Sequence, residues 1–254
     1  MDRASVAAKI TALFSAGPVT FERFMQAALY DSEVGYYSSR IRSVGARGDF
    51  STASTLHPIL GEAIATWLKS LRKSQLQSLH IIEIGAGTGA LAKAILDKLG
   101  FLTRSRTHYH IVEVSEPLKV IQEETLHGRS VHWHADMNAA LAACDGIAHI
   151  FSNELPDAFP CRIFVKTSAQ WNELALELRE GNPVEVLIPV SSSEKILEQI
   201  AAHPFPDGQR IEIQESYRTW LKSWLPVWRS GEMLTIDYGD TFPGLYHRRP
   251  RGTV

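Results

Sequence analysis

The sequence is poor in the features that mark several protein classes. It holds two cysteines, Cys144 and Cys161, in 254 residues. Two thiols cannot build a disulfide framework, and the usage fits a reducing compartment. No apolar run approaches the roughly 20 residues of a membrane-spanning helix. Neither sign of charge dominates: 26 Lys and Arg stand against 28 Asp and Glu, a net −2. No global field draws the chain to nucleic acid or to an anionic membrane, so neither is an expected partner. The basic run His247 to Arg251 is short and reads as solvated. Asp2, Arg3 and Lys9 interrupt the first 15 residues, which therefore read as an ordinary helix and not a signal peptide. Repeats and low-complexity tracts are also lacking. His132 and His134 share a strand face, with His127 nearby, but a metal centre needs a third or fourth organised ligand, and none is expected. Cys161 has no general base evident beside it.

What is present is organised around Ile81-Ile82-Glu83-Ile84-Gly85-Ala86-Gly87-Thr88-Gly89. An apolar run of strand character stops at a glycine-rich turn. Leu91, Ile95, Leu96 and Leu99 follow at helical spacing. Strand, glycine turn and helix form the entry to a nucleotide-type cofactor site in doubly wound folds. Glycines there let the backbone approach a ligand closely.

Upstream, Val6, Ile10, Leu13 and Phe14 predict a helix ended by Gly17-Pro18. Thr20 is the expected N-cap of a second helix striped by Phe21, Phe24, Met25, Ala28 and Leu29. Residues 30–55 read as a long functional loop, rich in Gly, Ser, Tyr and charge. A helix from Pro58 carries Leu60, Ile64, Trp67, Leu68 and Leu71 inward.

Downstream, strands are predicted at His108–Glu113, Val131–Asp136 and Ile147–Phe151, with helices between them. This alternation argues for a parallel sheet covered on both faces. The pattern then changes: Arg162–Lys166 is apolar-rich, Glu173–Leu178 alternates as a half-buried strand, and Val184–Val190 is another strand after the turn at Gly181-Asn182-Pro183. Ser191 and Glu194 form a capping box. Tyr217, Trp220, Leu221, Trp224 and Leu225 mark a helix that Pro226 kinks or ends, and Glu232–Gly239 is a fifth core strand ending in a turn. The expected organisation is a helical and lid region over 1–75, a cofactor-binding core from 76–160 and 230–254, and an inserted hairpin and helical region over 161–229.

Two cofactors compete for the turn. Gly85, Gly87 and Ala90 loosely satisfy the dinucleotide pattern. Gly85, Gly87 and Gly89 meet the shorter pattern of S-adenosylmethionine sites. The acids favour the second. Glu83 would repel a pyrophosphate but suits a cationic ligand. Glu113 ends the second strand, where it can take a ribose diol with either cofactor. Asp136 ends the third, where it can accept from an adenine amino group; the alternative for each acid is a cap or a solvated charge. Val114 and Met137, beside these acids, join Ala86, Thr88 and the three glycines as expected cofactor contacts.

The chain resembles the MidA-type methyltransferases, the family of a mitochondrial complex I assembly factor that methylates arginine. The matching stretches are Gly17-Pro18 with Phe24-Met25, Tyr30-Asp31 with Gly35-Tyr36-Tyr37, Gly48-Asp49-Phe50 with Thr52, Glu83 to Gly89, Glu113 with Ser115, Asn153-Glu154 with Asp157-Ala158 and Pro160, and Ile236-Asp237-Tyr238-Gly239. The resemblance implies an α/β, class I, Rossmann-like doubly wound sheet of order 3-2-1-4-5. A helical N-terminal region precedes it, and an antiparallel insertion lies between core strands 4 and 5. It also implies S-adenosylmethionine as methyl donor and a protein arginine as acceptor, such as a respiratory-complex subunit. Relatives continue past Arg251 with the two closing strands of the sheet, which this sequence does not include. A bacterial cytoplasm is the expected location, or the mitochondrial matrix in a eukaryote.

A guanidinium is charged and a poor nucleophile, so acidic residues must hold it in a fork geometry. Glu154 is the expected orienting carboxylate. Asp157 and Asp49 are further candidates, with Asn153 beside the cofactor and Tyr36, Tyr37, Gly48, Phe50 and Thr52 around the acceptor. Two rival readings are a non-catalytic assembly module that keeps the fold and a nicotinamide-dependent oxidoreductase.

Overall fold

The computed structural model describes residues 3–40, 59–72, 78–168, 170–190, 198 and 200–253. The Gly48-Asp49-Phe50 loop with Thr52, and the Ser191 and Glu194 capping box, lie outside the described residues. In chain order the elements are α1 (Arg3–Leu13), β1 (Val19–Thr20), α2 (Phe21–Tyr30), α3 (Ile59–Ser70), β2 (Leu79–Ile84), α4 (Ala90–Lys98), β3 (Thr107–Val112), α5 (Glu116–Thr125), β4 (Val131–His134), α6 (Met137–Ala142) and β5 (His149–Asn153). There follow β6 (Arg162–Thr167), β7 (Gln170–Arg179), β8 (Asn182–Pro189), β9 (Arg210–Ile213), α7 (Glu215–Trp224), β10 (Met233–Ile236) and α8 (Gly244–Arg248). The chain divides into two compact units, one of residues 35–156 and 221–237, the other of residues 1–34, 157–220 and 238–254. Helix α3, which the sequence grouped with the N-terminal region, clusters with the first of these.

The first unit is built on a wholly parallel sheet of order β10-β5-β2-β3-β4. Numbering its strands by appearance gives 3-2-1-4-5, the order implied by the family resemblance. Strand β2 is central, so both of its faces are covered and Ile81, Ile82 and Ile84 are all buried. Ile81, Tyr109, Ile111 and Phe151 form one core with Ile64 and Leu68 of α3, Leu91 and Ile95 of α4, and Leu126. Each fully buried Ile or Leu contributes about 1.5–3 kcal/mol. Helices α3 and α4 approach closely at Gly61, where a Cβ would stand 2.5 Å from the Cβ of Ala94. Ser115 caps α5, its hydroxyl accepting from the Leu118 N–H, and Pro117 sits in the first turn.

The second unit is antiparallel. Strand β7 is its spine: β8 pairs along one edge, β6 and β1 share the other, and β9 lies outside β6. Strand β6 alternates between two cores. Ile163 and Val165 pack with Cys161 and Leu174 against Phe21 and Met25 of α2. Phe164 faces the other way, toward Ile200, Phe205, Ile211 and Tyr246. Arg162 grips Glu173 with two N–H···O bonds of 2.9 and 2.7 Å across β6 and β7. Thr20 caps α2 as expected, accepting from the Arg23 N–H. The strands β6 to β9 fall in sequence between β5 and β10, where the insertion was expected. Helix α7 stops at Trp224 and passes into a 3-10 turn containing Pro226. No described helix is long and apolar enough to cross a membrane.

Candidate cofactor and active site

The carboxyl end of β2 runs into the glycine turn. Gly85, Gly87 and Gly89 all have positive φ, at 68°, 54° and 78°, which residues with a Cβ rarely adopt. A Cβ at Gly87 would meet no protein atom within 4 Å. The turn therefore opens to free space on that side. Gly89 begins α4 without a side-chain cap.

Glu83 sits beneath the turn, 2% exposed, on the sheet face of Ile81 and Phe151. Its Oε2 accepts from the Tyr109 hydroxyl at 2.7 Å. Burial pushes the Glu83 carboxyl up to about 7, helped by the nearby Glu113 charge and opposed by the Tyr109 bond. Burial, and then Glu83 itself, raise the Tyr109 hydroxyl well above its usual value.

Glu113 directly follows β3. Its Oε1 accepts from the Ser115 N–H at 2.9 Å and its Oε2 from the Gln122 amide at 2.8 Å. Burial raises this carboxyl too, and those donors pull it partly back. The same Gln122 nitrogen donates to the Gly87 carbonyl at 2.9 Å, and the Gln122 oxygen accepts from the Trp133 indole at 3.0 Å.

Beyond β4, Asp136 caps α6, its Oδ1 accepting from the Ala139 N–H at 2.9 Å. The Met137 side chain is buried in the core, and that of Val114 is 64% exposed. Asn153 closes β5, and its amide donates to the Glu154 carboxylate at 3.4 Å. Glu154 has φ +53°, an uncommon conformation for a non-glycine residue. Its N–H donates to Ile236 of β10 at 2.8 Å. The next residue, Leu155, lies over the glycine turn; its Cδ1 would stand 3.2 Å from a Cβ on Gly85. The segment after β5 and the glycine turn of β2 are thus brought side by side.

Tyr36 and Tyr37 meet edge to face at 5.2 Å, in a π turn that lies against α5. Asp157 is exposed in a 3-10 turn and belongs to the antiparallel unit. Asp49, Gly48, Phe50 and Thr52 lie outside the described residues.

Sequence reasoning missed Tyr109, Gln122 and Trp133. Strand register sets Tyr109 beside Glu83, and helix α5 carries Gln122 to Glu113, where the Trp133 indole meets it; no local signal marks these residues. It also missed the company of His132 and His134. On one face of β2, β3 and β4, His80 stacks on His108 at 4.6 Å and His110 lies within 5.8 Å of His80, His132 and His134. His110 is buried, and burial followed by its histidine neighbours pushes its imidazole down to about 3. Among the described residues, no group of three or more His, Cys, Asp and Glu is arranged to hold a metal ion. Cys161 is buried and its thiol is pushed up to about 12, which does not suit a nucleophile.

Residues 59–254 match the family model described as "Putative S-adenosyl-L-methionine-dependent methyltransferase". The chain belongs to this family. It is 26% identical over 263 residues to the protein arginine methyltransferase NDUFAF7, mitochondrial, of Xenopus tropicalis, covering 91% of this chain and 61% of the relative. It is 27% identical to the Homo sapiens protein of the same name, covering 91% and 59%. A crystal structure from Burkholderia thailandensis, bound to S-adenosyl-homocysteine, aligns over 98% of this chain and 66% of its own with a TM-score of 0.87 and 27% identity. The chain thus spans about 60% of the length of the curated relatives it matches.

The family's cofactor is S-adenosylmethionine, and the site fits it. Gly87 leaves open space where a side chain would stand. The two carboxylates nearest the turn, Glu83 and Glu113, are acceptors suited to hydroxyls and to positive charge, not to phosphate.

Proposed function

We propose that this chain is the catalytic part of a protein arginine N-methyltransferase, with Glu154 as the residue that orients the guanidinium. One observation carries the reading. A carboxylate residue in a strained backbone conformation stands at the carboxyl end of β5, next to a leucine that lies over the glycine turn. Such strain costs about 1–3 kcal/mol and gathers at functional sites. The names of relatives at 26–27% identity support the acceptor class.

Glu83, the glycine turn, Glu113 and Asn153 would hold the cofactor. When bound, S-adenosylmethionine supplies an electrophilic methyl group on a sulfonium. The Glu154 carboxylate accepts two parallel N–H bonds from the guanidinium and draws its positive charge away from the attacking nitrogen. Alignment of this kind can supply on the order of 7–11 kcal/mol of the barrier. Asp157 is a second acidic candidate, with Asp49 from the Gly-Asp-Phe loop, and Tyr36 and Tyr37 border the acceptor. The acceptor is an arginine-bearing protein, sought first among respiratory-complex subunits, in a bacterial cytoplasm or a mitochondrial matrix.

Extracts incubated with S-adenosylmethionine carrying a labelled methyl group test the reading. The wild-type protein should label a protein band as methylarginine, and Glu154→Gln should lower labelling at least 100-fold with cofactor affinity unchanged. Cofactor binding without any transfer would favour a non-catalytic assembly module. Tight NADH binding would overturn the cofactor as well.

A further inference from the structure

Gln122 is fully buried and uses every polar atom of its side chain. Its two N–H bonds go to different parts of the site: one to the Gly87 carbonyl, the other to the Glu113 carboxylate. Its oxygen is held by the Trp133 indole on the neighbouring strand β4. A planar amide has fixed bond directions, so two acceptors on one nitrogen have a fixed separation. The backbone joins the start of the turn to the end of β3, where the Gly85 N–H donates to the Val112 carbonyl at 3.0 Å; Gln122 adds a side-chain tie from Gly87, further into the turn, to the Glu113 carboxylate itself. We propose that Gln122 is a positioning residue for cofactor binding, a bracket that sets the distance between the glycine turn and the acid that receives the ribose. Trp133 fixes which way the amide points. Reversed, the amide would set its oxygen against two acceptors, and the Trp133 N–H, a donor only, prevents this.

The bracket also favours the ionised form of Glu113. Its carboxylate is desolvated, and the Gln122 donor is one of the groups that favour the ionised form. The titratable neighbour is Glu83 on β2, whose charge interacts with Glu113. A neutral Glu113 would offer a weaker acceptor to two hydroxyls.

The inference rests on the reading of Glu113 as the cofactor's acid, and the test separates the two. S-adenosylhomocysteine binding is measured by calorimetry at pH 8 and pH 6 for wild type, Gln122→Met and Glu113→Gln. Gln122→Met leaves two buried acceptors unsatisfied, so affinity should fall roughly tenfold to a hundredfold at pH 8. The loss should be larger at pH 6 than at pH 8, because removing the Gln122 donor raises the Glu113 carboxyl further. A role in folding alone would not produce that added pH dependence. The indole N–H resonance of Trp133, assigned with Trp133→Phe, should move in Gln122→Met. Folded Gln122→Met that binds within twofold of wild type at both pH values overturns the proposal. Should Gln122→Met fail to fold, Gln122→Glu and Trp133→Phe replace it under the same criterion. Glu113→Gln with wild-type affinity would instead overturn the reading of Glu113; a weak Glu113→Gln beside a normal Gln122→Met would overturn the bracket alone.

Discussion

Replacing Glu83 by glutamine should stabilise the protein while weakening cofactor binding. The carboxyl is 2% exposed, and its pKa is pushed from 4.5 to about 7. Because the folded value lies above the unfolded one, the group is most favourable to folding below pH 4.5. That contribution is lost as pH rises through 7. At 1.36 kcal/mol per unit, an ionised Glu83 costs about 3 kcal/mol at pH 8 relative to a neutral side chain, and about 1 kcal/mol at pH 5. Glutamine has no charge to bury, and its oxygen can still accept from Tyr109. Unfolding in urea should therefore show Glu83→Gln gaining about 2 kcal/mol more at pH 8 than at pH 5. A cationic ligand lowers the carboxyl's pKa again. Binding of S-adenosylmethionine near pH 7 should then release close to half a proton in the wild type, read by calorimetry in buffers of different ionisation enthalpy, and the variant should lose this release. A stability difference that is the same at both pH values would refute the reasoning. So would proton release that survives the substitution.

Glu154→Gly should relieve the left-handed backbone and raise unfolding free energy by about 0.5–1 kcal/mol in urea titrations, while abolishing methyl transfer. His110 has a folded pKa below its unfolded value, so its contribution is full above pH 6.5 and is lost as pH falls toward 3. At pH 5 that loss is about 2 kcal/mol. The change in stability between pH 7.5 and pH 5 should differ by that amount between wild type and His110→Gln, a comparison in which the opposing effect of Glu83 cancels. Gly61→Ala should destabilise by about 1–3 kcal/mol through its collision with Ala94, and Ala94→Gly in the same chain should restore most of the loss in thermal unfolding.

The strands of the parallel sheet were legible because each is a local apolar run that ends at a glycine, an acid or a turn. The five predicted core strands match β2, β3, β4, β5 and β10 to within about three residues at each end. The antiparallel insertion was legible from the switch to a period of two. Its full pairing was not: β6, β7 and β8 are successive hairpins, but β1 joins β7 from the far end of the chain, Val19 opposite Leu176 and Thr20 opposite Ala175. In the site, the glycines and acids were visible, whereas their charge states were not. Glu83 and Glu113 look alike in sequence; burial raises both, Glu83 to about 7, while the Ser115 N–H and the Gln122 amide pull Glu113 partly back.

The sequence by itself determined the glycine turn and the acids at the strand ends, which favour a cationic, phosphate-free ligand; the family resemblance carried the choice of S-adenosylmethionine. The turn and the acids follow from residue type and spacing within each strand and the turn that ends it. Tertiary structure alone decided that Tyr109 answers Glu83, that Gln122 joins Gly87 to Glu113, and that Leu155 lays the Glu154 segment over the turn. Those are lateral relations between strands. Burial and strand register create them, and neither is written in any single stretch of the chain.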